Sequence, residues 1–234
     1  MKLLSAANMS GGYGGLDILT ACTIEVDGGE VTVIVGPNGA GKSTAMKAIF
    51  GMIELRTGSV TLNGTDITGL PPQARVQKGM AFVPQTHNVF VNLTLEENLE
   101  MGAYLRRDDI HESMEQIFDL FPVLREKRRQ LAGSLSGGQR QQLAVGRALM
   151  TEPNLLMLDE PTAGLSPLVM DELFDRILDI KRAGIGIIIV EQNARQALEI
   201  ADTGYVLVNG ENRHTGTGAA LLANVDVRRS FMGG

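Results

Sequence analysis

The 234-residue chain has no tryptophan, three tyrosines, seven phenylalanines and a single cysteine, Cys22. One cysteine cannot close an internal disulfide, so a reducing compartment is the simplest setting, and Cys22, flanked by apolar residues near an early strand, reads as core. Basic charge is also short, with 21 lysines and arginines against 27 aspartates and glutamates, a net charge of −6. Non-specific nucleic-acid binding needs a basic face to neutralise phosphates, and this balance argues against it. The longest apolar stretch, Gly184–Val190, falls far short of the ~20 residues that span a bilayer, and the opening MKLLSAANMSGG has too small an apolar core for a signal peptide. These shortages predict a cytosolic chain that meets a membrane only through partners. His87, His111 and His214 are scattered without metal-ligand spacing and read as solvated or satisfied side chains.

What the chain does have is apolar residues, 44% of the total, and 28 glycines that cluster at a few places. Its length suits one large α/β domain, or one domain with a small satellite. Val31–Val35 (VTVIV) is a β-branched run that reads as a buried strand, followed by a glycine-rich loop and a helix with apolar residues at Ala45, Met46, Ile49 and Met52. The segment Gly58–Gly64 alternates and ends in Asn-Gly, a hairpin signal. A further strand is expected over residues 79–84. Thr94-Leu95-Glu96-Glu97 is a capping box, and Leu95, Leu99, Ala103 and Leu105 continue at helical spacing. Helical patterning also fills 109–121 and 138–150. Strands resume at Leu155–Leu158 and Ile185–Val190, separated by a helix from Pro167 to Arg182, and a last hairpin turns at Asn209-Gly210 before two short helices. The expected organisation is an α/β core with a β-subdomain over about 1–89 and 151–234, interrupted by a helical subdomain over about 90–150.

Two segments carry chemistry. Gly36-Pro37-Asn38-Gly39-Ala40-Gly41-Lys42-Ser43, followed by Thr44, matches G-x-x-x-x-G-K-[ST] and lies between a buried strand and a helix. Glycines let successive backbone N–H groups converge on a polyphosphate at a helix N-terminus; Lys42 reaches the outer phosphates and the Ser43 hydroxyl can ligate Mg²⁺. The second segment, Leu155-Leu156-Met157-Leu158-Asp159-Glu160, is an apolar strand ending in two acids. Such acids can simply cap a following helix, but beside a phosphate loop they suit a crevice in which Asp159 holds Mg²⁺ and Glu160 polarises an attacking water.

Leu135-Ser136-Gly137-Gly138-Gln139 lies just upstream of that strand, with Ser136 placed as the N-cap of a second anion-binding helix start. LSGGQ in this position resembles the signature of ABC-type ATPases. The resemblance implies a P-loop fold with a RecA-like core, an antiparallel β-subdomain and an inserted helical subdomain. It also implies that ATP is sandwiched between the phosphate loop of one chain and the signature residues Ser136, Gly137, Gly138 and Gln139 of another, in a head-to-tail dimer. By the same resemblance Gln85 is the loop glutamine that contacts Mg²⁺ and water, Tyr13 is the aromatic that stacks on adenine, and Asn88–Tyr104 receives the membrane subunits. Two positions depart from the family pattern: Gln192 stands where a switch histidine is usual, and Ser166 where an aspartate is usual. Glutamine donates a hydrogen bond but carries no charge.

VEQNARQALEIAD, GLSP, EENLEMGAY, DLFPVLREKRRQLAGSLSGG and the ending ALLANVDVRRSFMGG look like the smaller ATP-binding subunit of branched-chain amino acid importers. That implies a second ATP-binding chain, two transmembrane permease subunits, a periplasmic solute-binding protein and a peripheral place on the cytoplasmic face of the inner membrane. Related importers carry amides or urea. A non-transport ABC ATPase acting on DNA or ribosomes is a second class, and the acidic charge and the lack of a coiled coil or tandem domain count against it; a small-molecule kinase shares the phosphate loop but has no reason to carry LSGGQ.

Overall fold

A computed structural model describes residues 2–231. The chain opens with a hairpin, β1 (Leu4–Tyr13) and β2 (Leu16–Val26), before β3 (Val31–Val35) and α1 (Lys42–Ile49). A second hairpin, β4 (Leu55–Leu62) and β5 (Thr65–Asp66), turns at Asn63-Gly64 with both residues at positive φ, the geometry that Asn-Gly favours. Helix α2 (Pro72–Gln77) leads into β6 (Met80–Val83). Then come α3 (Leu95–Gly102), α4 (His111–Leu120), α5 (Pro122–Glu126) and α6 (Gly137–Leu149). The remainder alternates: β7 (Leu155–Asp159), α7 (Pro167–Arg182), β8 (Gly186–Val190), α8 (Ala194–Glu199) and β9 (Thr203–Val208), followed by β10 (Glu211–Gly216), α9 (Gly218–Ala223) and α10 (Val225–Phe231).

The strands form two sheets. One is antiparallel, in the order β2-β1-β4-β5; the other runs β10-β9-β3-β8-β7-β6, parallel except for the β10 edge. A parallel sheet covered on both faces requires near-continuous apolar strands, which is why VTVIV, LLML and GIIIV are strands at all. Their side chains alternate between two cores. Val31, Val33, Val35, Leu156, Leu158, Ile187 and Ile189 face Leu99, Phe118, Leu143, Leu173 and Ile177 of the helices. Ile34, Leu155, Met157, Ile188 and Val190 face α1 and the antiparallel sheet, against Met46, Ile49, Leu4, Met9 and Leu19. Cys22 is buried in this second core, and burial pushes its thiol up to about 12.

Three features differ from the sequence reading or are absent from it. The β1–β2 hairpin is bulged, with Asn8 and Ala21 at positive φ and register shifts along the ladder, so no clean alternation announces it. Helix α3 ends at Gly102 rather than continuing to Leu105: its last turn tightens, with Ala103 N–H donating to Glu100 O, and Tyr104 and Leu105 stand in solvent at 78% and 51% exposure. Arg75 is buried at 1% exposure and donates to Ala48 O and Ile49 O at the C-terminus of α1, and to Thr68 O and Leu70 O. A cation there satisfies carbonyls that the helix leaves without partners and complements the negative end of its dipole. No helix among the described residues is long and apolar enough to cross a membrane.

Candidate functional site

The chemistry-bearing residues gather because four adjacent parallel strands, β3, β8, β7 and β6, all end at the same edge of the sheet. The loop after β3 supplies Lys42 and Ser43, the end of β7 supplies Asp159 and Glu160, and the loops after β6 and β8 supply Gln85 and Gln192. A crevice outside the carboxyl ends of parallel strands is the place where such folds hold ligands.

The loop after β3 wraps tightly. Gly36 has φ 150°, and a Cβ there would lie 2.2 Å from Leu207 O, so only glycine allows the loop to leave the sheet so close to β9. Ala40 O accepts from Gly210 N (2.9 Å) and Gly210 O accepts from Thr20 N (3.0 Å), tying the loop to the β9–β10 turn and to β2. Lys42, 5% exposed, folds back across the loop and donates to Gly36 O (2.9 Å) and Pro37 O (3.1 Å). Burial holds its ammonium below the usual lysine range, opposed by the charges of Glu160, Asp159 and Glu191. Pro37, Asn38 and Gly39 are exposed at the mouth, whereas Thr44 is buried in the first turn of α1.

Ser43 Oγ donates to Asp159 Oδ1 at 3.0 Å. Burial raises the Asp159 carboxyl above its usual range, partly offset by that hydroxyl. Glu160, one residue on, has φ 48°, a conformation that costs a non-glycine residue energy, and its N–H donates to Val190 O at 2.9 Å. The turn aims its carboxylate at two glutamines. Gln85 Nε2 donates to Glu160 Oε2 at 2.6 Å, and Gln192 Nε2 lies 2.9 Å from both Glu160 oxygens. Five residues singled out from sequence, Ser43, Gln85, Asp159, Glu160 and Gln192, thus form two hydrogen-bonded groups at one sheet edge.

Tyr13 and the signature residues do not join those groups. Tyr13 ends β1, 47% exposed, with its ring outside the core. Ser136 is the N-cap of α6, its side chain accepting from Gln139 N while Gln139 Oε1 accepts from Ser136 N and from Lys127 Nζ. Ser136 and Gly137 are exposed, and a Cβ on Gly138 would lie 2.4 Å from Val169 Cγ1, so glycine here lets α7 approach. Sequence reasoning passed over Glu191, which is 2% exposed with its carboxyl raised first by burial. It accepts from Thr162 N (3.0 Å), Thr162 Oγ1 (2.7 Å) and Gln192 N (3.1 Å). An acid ending an apolar strand is the one signal that could have found it.

Residues 19–163 match the family model described as ABC transporter. The chain is 43% identical over 233 residues to the high-affinity branched-chain amino acid transport ATP-binding protein BraG of Pseudomonas aeruginosa, covering 99% of this chain and 100% of that one. It is 44% identical, over 99% of both chains, to the probable branched-chain amino acid transport ATP-binding protein LivF of Archaeoglobus fulgidus. Its structure superposes on the ADP conformation of MJ1267, an ATP-binding cassette of an ABC transporter, with a TM-score of 0.91 at 30% identity over the whole of both chains. The family match spans more than half of the chain, and identity and fold agree over nearly its full length: the chain belongs to the ABC transporter family, as an ATP-binding cassette whose ATP hydrolysis is coupled to transport.

Proposed function

We propose that this cassette is the motor subunit of an importer for branched-chain or other hydrophobic amino acids, with Glu160 as the base that activates water. The observation that carries the catalytic part is the Glu160 carboxylate, held between the Gln85 and Gln192 amides beside the Ser43–Asp159 pair. The solute class follows the BraG and LivF relatives, at 43% and 44% identity over nearly every residue.

ATP is the substrate. Phosphate oxygens arriving at the loop of Gly36, Pro37, Asn38, Gly39, Ala40 and Gly41 meet its backbone N–H groups, and Lys42 exchanges its two loop carbonyls for them. Ser43 and Asp159, oxygen donors 3.0 Å apart, fit Mg²⁺ together with the amide oxygen of Gln85, whose nitrogen is committed to Glu160. When bound, Mg²⁺ neutralises phosphate charge. Glu160 takes the proton of the attacking water, and Gln192 orients that carboxylate by hydrogen bonding, without adding charge. Tyr13 offers an exposed ring for stacking on adenine. Ser136, Gly137, Gly138 and Gln139 close the site of a second ATP-binding chain, head to tail.

The paired ATP-binding chains sit under two transmembrane permease subunits, met at Asn88–Tyr104 of the helical subdomain (about residues 90–150), and a periplasmic solute-binding protein acts through them. Phe90, Val91, Met101, Tyr104 and Leu105 are exposed apolar side chains within this short segment, beside a cleft of about 430 Å³ lined by Val76, Gly102, Leu105 and Arg106. That surface suits short apolar segments of membrane partners and supports a peripheral position on the cytoplasmic face.

In the assembled complex, Glu160→Gln should bind ATP as the parent does while turnover falls by roughly 10²–10⁴-fold. Lys42→Ala should weaken both binding and turnover. Parental turnover in Glu160→Gln would remove Glu160 as the base.

A further inference from the structure

Glu191 is a buried acid for which the hydrolytic scheme above has no use. It directly follows β8 and precedes Gln192, and its N–H donates to Ile34 O at 3.1 Å, one residue before the end of β3. An apolar side chain would fill a position of this burial without desolvating a charge; a carboxylate is tolerated only when donors surround it. All the donors come from two places. Oε1 takes the Thr162 N–H and the Thr162 hydroxyl, at 3.0 and 2.7 Å, and Oε2 takes the Gln192 N–H, at 3.1 Å. Thr162 is itself 1% exposed, and the turn between it and Glu160 is closed by Ala163 N–H donating to Glu160 O at 3.1 Å. One carboxylate therefore grips both the turn that carries Glu160 and the backbone of the residue whose amide spans both Glu160 oxygens.

We propose that Glu191 is a positioning residue for hydrolysis, clamping the Glu160–Thr162 turn to Gln192 so that the Gln192 amide stays seated on the Glu160 carboxylate. The claim rests on Glu160 acting as the base. Glu191, 2% exposed and bonded to Thr162 and Gln192, acts on Glu160 through them; without it, the strained turn at Glu160 is tied to the end of β8 by the Glu160 N–H to Val190 O bond and by the Gln192 amide itself. Small displacements of a reacting group cost rate far more than they cost binding.

Glu191→Gln keeps an oxygen for Thr162 but turns an NH₂ toward the Gln192 N–H. In the assembled transporter its kcat should fall by at least ~10-fold, while the affinity for the non-hydrolysable analogue AMP-PNP stays within about two-fold of the parent. Thr162→Val should reproduce that loss and Thr162→Ser should restore parental kcat, because serine keeps the hydroxyl. The Glu191→Gln/Thr162→Val double variant should be no slower than the slower single one, as expected for two ends of one clamp. The Thr162 pair carries the test if Glu191→Gln does not fold. Parental kcat in folded Glu191→Gln, or in Thr162→Val, overturns the proposal. So does a parallel loss of kcat, AMP-PNP affinity and melting temperature, which marks a merely structural role. Run alongside, Glu160→Gln separates the two claims: loss of turnover there with none in Glu191→Gln removes only the clamp, whereas parental turnover in Glu160→Gln removes the base on which the clamp acts.

Discussion

At the scale of single residues, the site is built from groups held at a cost. Glu160 occupies left-handed backbone, Lys42 is buried against loop carbonyls, and Asp159 is buried with a raised carboxyl pKa. The last of these has a measurable consequence. The folded chain holds the Asp159 proton more tightly than the unfolded chain does, because burial raises its carboxyl above the ordinary 3.8. Between that ordinary value and the raised folded one, the native state binds more protons, so the group's contribution to stability falls as pH rises through the interval and stays low above it. Asp159→Asn keeps an acceptor for Ser43 and removes the buried charge. Without nucleotide it should melt above the parent near pH 8, and the advantage should shrink toward about pH 4 in thermal scans. A gain that grows on acidification contradicts the burial argument. Lys42, Ser43, Asp159 and Glu160 could be read from sequence because their residue types sit at fixed offsets from strand ends. Glu191 was passed over although it directly follows an apolar strand, because its partners lie 29 residues upstream at Thr162 and one residue on at Gln192, and only folding brings them together.

At the scale of elements, α1 links the phosphate loop to the rest of the fold, and both its ends are pinned. Its N-terminus is fixed by the loop's bonds to the β9–β10 turn, and its C-terminus by Arg75. Replacing Arg75 by Met leaves four carbonyls short of a buried donor. The expected destabilisation is about 3–5 kcal/mol, a fall in melting temperature of roughly 10 °C for a chain of this size. A fall below about 2 °C in differential scanning calorimetry would show that water or a rearranged α2 replaces the guanidinium. Arg75 was not legible in PPQARVQKG, where an arginine among polar residues reads as solvated. The β3, β7 and β8 strands were legible because burial on both faces demands unbroken apolar runs. The β1–β2 hairpin was not, because bulges at Asn8 and Ala21 break the alternation and its small, glycine-rich sequence gives little propensity.

For the whole molecule, two cores share one sheet. One joins it to the helices α3–α6, with Phe90, Met101 and Tyr104 exposed on α3 and the loops beside it; the other joins it to α1 and the antiparallel sheet. The residues of the proposed site lie along the edge where that sheet ends, and Gln85 among them is five residues before Phe90 on the surface proposed to meet membrane partners. The chain passes from β6 through the four helices α3–α6 to β7, which supports the proposed division near residues 90 and 150. The solute assignment follows the BraG and LivF relatives, so it is tested by transport. The most direct measurement is uptake of labelled leucine by source cells carrying only the Lys42→Ala form of this chain, with labelled urea as the comparison solute. Loss of leucine uptake with urea uptake intact is the predicted result, and undiminished leucine uptake would contradict the assignment.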